Sequence, residues 1–244
     1  MHNRIVANEV IKRIASETDE AILFHSATGK DSICLLDLIA PHFKRIVCVY
    51  MYVVPNLQCV ARYIQWAKSR YSNVEFVQAT HYAVSSYRKY GYMGCAVDPK
   101  QKLFTLRDIN EKVREKIGIE WTFYGMKESD GLNRRVMLRT YDNGICFKTK
   151  KAYPLQQYKN HDVLKYIRDR KLITPPDYTQ GNTLLKRASS GESISGVFLS
   201  YLRDNFPDDL QKVYSYYPLS QSVLEQYDEM MNGAMNEATN EDEI

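Results

Sequence analysis

With 244 residues, 44% hydrophobic and 25% charged, the chain has the composition of a globular protein that buries one sizeable core, with or without a small appendage. Its longest apolar runs fall short of the ~20 residues that span a bilayer. The N-terminus Met1-His2-Asn3-Arg4-Ile5 lacks the apolar core of a signal peptide, so no membrane partner and a cytoplasmic location are expected. The net charge of +4 conceals an asymmetry: Gln221 to Ile244 holds seven acids and no Lys or Arg, which leaves the rest of the chain at about +11. So basic a body suits polyanions, nucleotides and nucleic acid among them, although a solvated basic surface accounts for it equally well.

In chain order, the short apolar run Ala21 to His25 reads as a buried parallel strand. Asp31 to Ile39 follows with Ile33, Leu35, Leu36 and Ile39 at helical spacing, and Pro41 as a stop. Arg45 to Val54 is β-branched and aromatic, a second strand. Asn56 is the expected N-cap of a helix to about Arg70, with Val60, Tyr63, Ile64 and Ala67 on one face. Val74 to Val77 is a third strand, Thr105 to Ile117 a helix ended by Gly118 at C′, and Glu120 to Gly125 a fourth strand. Alternating strands and helices predict an α/β fold with a mainly parallel sheet covered by helices on both faces. Ligands of such sheets bind beyond the carboxyl ends of the strands. There residues 25–32, 54–56, 79–82 and 126–135 should converge. Beyond Arg135 the pattern weakens to helices over residues 160–170, 192–205 and 218–231, then a frayed acidic tail from Met235.

The five cysteines, Cys34, Cys48, Cys59, Cys95 and Cys146, form no C-x-x-C pair, so neither a disulfide framework nor an iron–sulfur cluster is expected. Cys34 and Cys48 read as small core residues. Cys95, after Gly94, is the loop cysteine to consider for reactivity. His81 follows the third strand and could face the ligand crevice, with a neutral structural histidine as the favoured reading. Tyr201, Tyr214, Tyr216 and Tyr217 could stack on bases, or be core residues.

The chemistry concentrates in Ser26-Ala27-Thr28-Gly29-Lys30-Asp31-Ser32. A strand, a tight polar turn and a helix start place backbone N–H groups and the positive end of the helix dipole at an anion. Gly29 admits close approach, Ser26, Thr28 and Ser32 bring hydroxyls, and Lys30 can pair with a phosphate oxygen. Asp31 can hold Mg²⁺, a hard cation that prefers oxygen, or cap the first helical turn. The Walker A pattern does not fit, because Phe24 stands where its first glycine belongs and Asp31 where it needs Ser or Thr. A G-x-G-x-x-G fingerprint is missing as well.

Thr28-Gly29-Lys30-Asp31-Ser32 after an apolar strand resembles the Ser-Gly-Gly-Lys-Asp-Ser signature of the PP-loop superfamily, with Thr28 in place of one glycine. These adenine nucleotide α-hydrolase-like proteins include ATP pyrophosphatases and phosphoadenosine phosphosulfate (PAPS) reductases. Gly125-Met126-Lys127-Glu128-Ser129-Asp130, with Arg134 and Arg135 after it, looks like the second element of the PAPS-reductase-like group, where an arginine fork can clamp phosphate or sulfate. Tyr153-Pro154-Leu155 with Asp162 to Ile167 resembles the group's Pro-Leu…Asp-Val…Tyr-Ile stretch, with Tyr158 or Lys159 near its usual Trp. Pro175 to Gly181 resembles its Pro-x-Tyr-x-x-Gly. The resemblance spans about residues 20–182 and is nearest to the diverse form encoded by phages and mobile islands. It divides the chain into a nucleotide-binding domain (1–182), a helical extension (183–234) and an acidic tail (235–244).

The resemblance implies binding of ATP or a PAPS-like nucleotide through Ser26, Thr28, Gly29, Lys30, Asp31, Ser32, Gly125, Lys127, Ser129, Arg134 and Arg135. Lys30 and Asp31 would be the catalytic pair and Mg²⁺ would be held by Asp31. It implies cleavage of ATP at the α-phosphate, release of pyrophosphate and adenylyl transfer to a second substrate. The chain departs from the true reductases: residues 147–244 contain no cysteine, and their Gly-Cys-x-x-Cys stretch is replaced by Asn182-Thr183-Leu184-Leu185. Thiolate attack on sulfur is therefore not expected. A nucleotide-sensing accessory protein and a component of nucleic-acid modification stay open, as do a protein partner and a homo-oligomer.

Overall fold

The computed structural model describes residues 2–24, 27–174 and 194–241. Its centre is a six-stranded sheet of β1 (Glu20–Phe24), β2 (Arg45–Tyr52), β3 (Val74–Thr80), β4 (Thr122–Tyr124), β5 (Ile145–Cys146) and β6 (Lys151–Ala152), in the order β3-β2-β1-β4-β6-β5. All pairings are parallel except β5 with β6. The helices are α1 (His2–Ala15), α2 (Lys30–Ile39), α3 (Gln58–Arg70), α4 (Tyr82–Tyr90), α5 (Leu106–Ile117), α6 (Leu132–Arg139), α7 (Asn160–Asp169), α8 (Gly196–Asn205), α9 (Pro207–Tyr216) and α10 (Ser220–Glu241). This is the expected α/β architecture, and β1 explains why. Ala21 and Leu23 point into one core with α1, α2, α3, α7 and the helices after residue 194. Ile22 and Phe24 point into another with Val113 of α5 and Leu138 of α6. A strand buried on both faces must be apolar throughout, which is what Ala-Ile-Leu-Phe is.

Several elements differ from the sequence reading. The predicted elements begin at Ala21, but Ala7, Val10, Ile11 and Ile14 of α1 recur at helical spacing and are buried. α4, α6 and α9 were not foreseen. The last helix continues through Glu241, past the point where a frayed tail was expected. Gly118 does end α5 in the left-handed region (φ 78°), and a reciprocal Thr105–Asp108 capping box starts it.

Asn56 is not the cap of α3. It sits at φ 58°, outside the helix, and Leu57 occupies the N-cap position. The cap comes from α9: the buried Asp209 carboxylate accepts from the backbone N–H groups of Gln58 and Cys59, both at 2.9 Å. Lys212 spans the same junction, donating to the Asn56 carbonyl at 3.0 Å. The helices after residue 194 are thereby fastened to the carboxyl side of β2, and Phe198, Leu199, Leu210 and Val213 share the core of Leu57 and Cys59.

A second fastening holds α2 itself. Asp37 accepts from Tyr71 Oη at 2.7 Å, Tyr166 Oη at 2.8 Å and Arg170 Nε at 2.9 Å. Burial alone would push this carboxyl up, but the hydrogen bonds from Arg170, Tyr71 and Tyr166 outweigh it and hold it below the ordinary aspartate value. Tyr153, Leu155, Tyr158, Val163 and Ile167 are all buried, so the Pro-Leu…Asp-Val…Tyr-Ile stretch serves packing. The Pro175 to Gly181 stretch lies outside the described residues.

Candidate functional site

The loop after β1 and the loop after β4 meet at the start of α2. α2 begins at Lys30 with Gly29 as N-cap, and Gly29 brings no side chain to its first turn. Ala27, just before, holds φ 55°, a left-handed conformation that costs a residue with a Cβ roughly 1–2 kcal/mol. Ala27 and Thr28 of the loop and Ser32 of α2 are buried. Ser26 lies outside the described residues.

From this turn a ladder of alternating charges runs across the carboxyl edge of the sheet. Lys30 Nζ donates to Asp31 Oδ2 at 3.0 Å, and the other oxygen, Oδ1, lies 2.8 Å from Lys127 Nζ. Lys127 Nζ is also 2.8 Å from Asp130 Oδ1, and Asp130 Oδ2 accepts from Arg134 Nη1 at 3.0 Å. The Lys127 side chain is wholly buried, and its ammonium bridges the two carboxylates. Burial raises the Asp130 carboxyl, but the Lys127 ammonium and backbone N–H outweigh it and hold the group below its usual value. Three cations share two carboxylates, so the ladder carries a net positive charge beside a helix N-terminus.

Gly125 earns its place here by packing. A Cβ on it would lie 3.1 Å from Asp31 Cβ, so the glycine lets the β4 loop close on α2 and bring Lys127 to Asp31. Ser129 donates to the Tyr158 carbonyl at 3.0 Å and so ties the loop to the chain ahead of α7. Arg135 is exposed and in no ion pair among the described residues. Of the residues predicted for the site, the structure thus joins Lys30, Asp31, Lys127 and Arg134 directly, with Gly29 and Gly125 shaping the turn. Asp130, the second carboxylate, was not singled out, although its place three residues after Lys127 in a short turn was a usable signal.

Magnesium fits Asp31 poorly in this arrangement, since both carboxylate oxygens already face ammonium groups. Among the described residues no cluster of three or more His, Cys, Asp or Glu side chains is arranged to hold a metal ion. The donor set suits an anion. All five cysteines are free thiols, and burial pushes those of Cys48 and Cys95 above the ordinary range.

Two clefts open at the same edge, beside β2 and β3. One of about 470 Å³ is lined by Tyr52, Pro55, Thr80, Arg88, Cys95 and Tyr217 among others. A smaller one of about 290 Å³ is lined by His81, Tyr82, Arg88, Gln101, Phe104 and Lys112 among others. His81 Nδ1 accepts from the Ala83 N–H at 3.2 Å and caps α4. Desolvation holds its pKa below the usual value, which favours the neutral ring expected of it. Tyr201 and Tyr217 are core residues, whereas Tyr216 is exposed.

The family model of the phosphoadenosine phosphosulfate reductase domain matches residues 21–218, which takes in β1 after Glu20, the charge ladder, both clefts and α9. The chain belongs to this family. As a PAPS reductase domain it has the fold of adenine-nucleotide-binding proteins, with the ladder and both clefts at the carboxyl edge where such sheets take ligands. No curated protein matches the chain. Among solved structures, the U34-tRNA thiolase NcsA from Methanococcus maripaludis with its [4Fe-4S] cluster resembles this PAPS reductase domain at a TM-score of 0.48 and 14% identity, over 90% of this chain and 78% of that one.

Proposed function

We propose that this PAPS reductase domain binds ATP with its phosphates at the start of α2 and transfers the adenylyl group to a second substrate. The observation that carries the proposal is the ladder Lys30–Asp31–Lys127–Asp130–Arg134, which sets two lysines around the first turn of a helix. In the reaction an oxygen of the second substrate bonds to the α-phosphorus. The bond from that phosphorus to the α,β-bridging oxygen breaks, and pyrophosphate leaves with the electron pair. The second substrate's proton passes to solvent. Lys30, at the helix start, stabilises the charge that grows on the departing pyrophosphate. Asp31 and Lys127 are positioning residues that hold Lys30 and the β4 loop in register. The cleft beside β2 has room for the nucleoside, since nucleotide-sized sites occupy ~300–1,000 Å³.

Attack by a thiolate on the sulfur of PAPS draws no support from residues 147–244, which contain no cysteine. The discriminating experiment measures pyrophosphate release from ATP with and without RNA or DNA, beside thermal shifts with ATP, PAPS and adenosine phosphosulfate. Pyrophosphate release that Lys30→Ala abolishes is the expected result. A thermal shift with PAPS and none with ATP would overturn the proposal, and binding without release would leave a nucleotide sensor.

A further inference from the structure

The basic body has a focus that borders the nucleotide site and, Arg88 apart, brings its cations from outside it. α4 ends in Arg88-Lys89-Tyr90, and residues 95–104 are strapped back along it: Asp98 N–H donates to the Arg88 carbonyl at 2.8 Å and Phe104 N–H to Ser85 Oγ at 3.0 Å. The strap adds Lys100 and Lys102, and Lys112 of α5 stands 4.3 Å from the centre of the Phe104 ring. Arg88, Lys89, Lys100 and Lys102 take part in no ion pair among the described residues. The acids nearby are mostly engaged. Asp98 accepts from the Lys100 N–H, Asp108 is in the α5 capping box, and Glu111 pairs with Arg107.

Rings stand among these charges. Tyr90 is 69% exposed and Tyr92 is 40% exposed. Tyr92 stacks on Tyr87 at 4.3 Å, and Tyr87 meets Tyr217 edge-on at 6.0 Å. Tyr217 lines the larger cleft, so a run of ring contacts leads from the surface to its wall. Arg88 lies on the walls of both clefts.

We infer that the surface formed by Arg88 to Tyr92, Lys100 to Lys102 and Lys112 binds single-stranded nucleic acid, with the two clefts bordering its path. Unpaired cations track a phosphate backbone, and exposed rings offer faces on which unpaired bases stack. A duplex keeps its bases stacked on one another and would leave the rings idle. An acidic peptide would meet the charges but make no use of flat aromatic faces. As a binding surface this stands apart from the nucleotide reading. As the identity of the adenylyl acceptor it rests on that reading.

The test is fluorescence anisotropy of labelled oligo-uridine and oligo-thymidine, long enough to fill a ~4–16 nucleotide site, against a blunt duplex and polyglutamate of matched charge. The single strands are expected to bind at least about tenfold more tightly than either competitor, with affinity falling as salt rises. Lys100→Glu with Lys102→Glu should weaken single-strand binding about tenfold and flatten the salt dependence by roughly one unit of log–log slope. Tyr90→Ala should weaken it about fivefold with the slope unchanged, as loss of a stacking face would. Both variants should keep wild-type ATP affinity, because Tyr90, Lys100 and Lys102 neither touch the charge ladder nor line the larger cleft. Wild-type protein that ignores the single strands, or that holds duplex or polyglutamate as tightly, overturns the inference. ATP affinity measured on the same samples separates that failure from a failure of the nucleotide site.

Discussion

The two ends of α2 treat a carboxylate in opposite ways. Near its carboxyl end Asp37 is sealed from solvent and saturated by aligned hydrogen bonds from Tyr71, Tyr166 and Arg170. In its first turn Asp31 is partly open and divides its two oxygens between the ammonium groups of Lys30 and Lys127. A saturated buried group gives rigidity, because every alternative arrangement leaves something unpaired. A partly open carboxylate held by two ammonium groups leaves those cations able to turn to an arriving anion. The contrast teaches which end of the helix is scaffold and which is machinery.

The largest effect should come from breaking the scaffold end. Asp37→Asn removes the charge that Arg170 pairs with, and should destabilise the fold by about 3 kcal/mol, at the low end for a broken buried pair since Arg170 is half exposed. Chemical denaturation would measure it, and ATP affinity per folded molecule should not change. The pH profile sharpens the point. The Asp37 carboxyl is held below its unfolded value of 3.8, so the unfolded chain takes up its proton first. Its contribution is therefore complete above that value and is lost as pH falls through the folded one. The variant should lack this component of acid unfolding.

Next come the changes at the machinery end. Lys30→Ala should weaken ATP binding by about 1.5–3 kcal/mol, read by calorimetry, with little loss of stability. Asp31→Asn leaves the buried Lys127 ammonium with Asp130 alone, so it should cost about 1–2 kcal/mol of stability as well as ATP affinity. If Asp31→Asn proved harmless to both, the contrast along α2 would collapse. The smallest effect belongs to Ala27→Gly. Relief of the left-handed strain, less the entropy of a glycine, should raise stability by up to ~1 kcal/mol in a thermal melt. ATP affinity should fall, because a looser turn holds Lys30 less firmly.

What the sequence disclosed was local. The apolar run of β1, the Lys30-Asp31 pair and Gly118 each announce themselves within a few residues, because strand burial, a helix start and a left-handed cap are decided by neighbours. α1 was equally legible, but its apolar stripe at residues 7, 10, 11 and 14 is interleaved with Arg4, Glu9, Lys12 and Arg13 and reads as polar on average. The burial of Lys127 could not be read. Lysine in a turn is ordinarily solvated, but this one is shut in where the β4 loop closes on α2 beside Gly125. The cap of α3 was further out of reach, because Asn56 is the standard residue type one position too early and the true partner lies on another helix.

That distant cap also bears on the order in which the molecule can be made. Cys59 and the carboxylate that receives its N–H are 150 residues apart, so a ribosome delivers one roughly 8–30 s before the other at ~5–20 residues per second. Through that interval β1, β2 and β3 can pair, but the first turn of α3 has no acceptor and the apolar side of Leu57 and Cys59 has no cover. The nascent chain thus carries its parallel sheet half clad until α9 emerges, a period in which holding chaperones have a defined surface to shield.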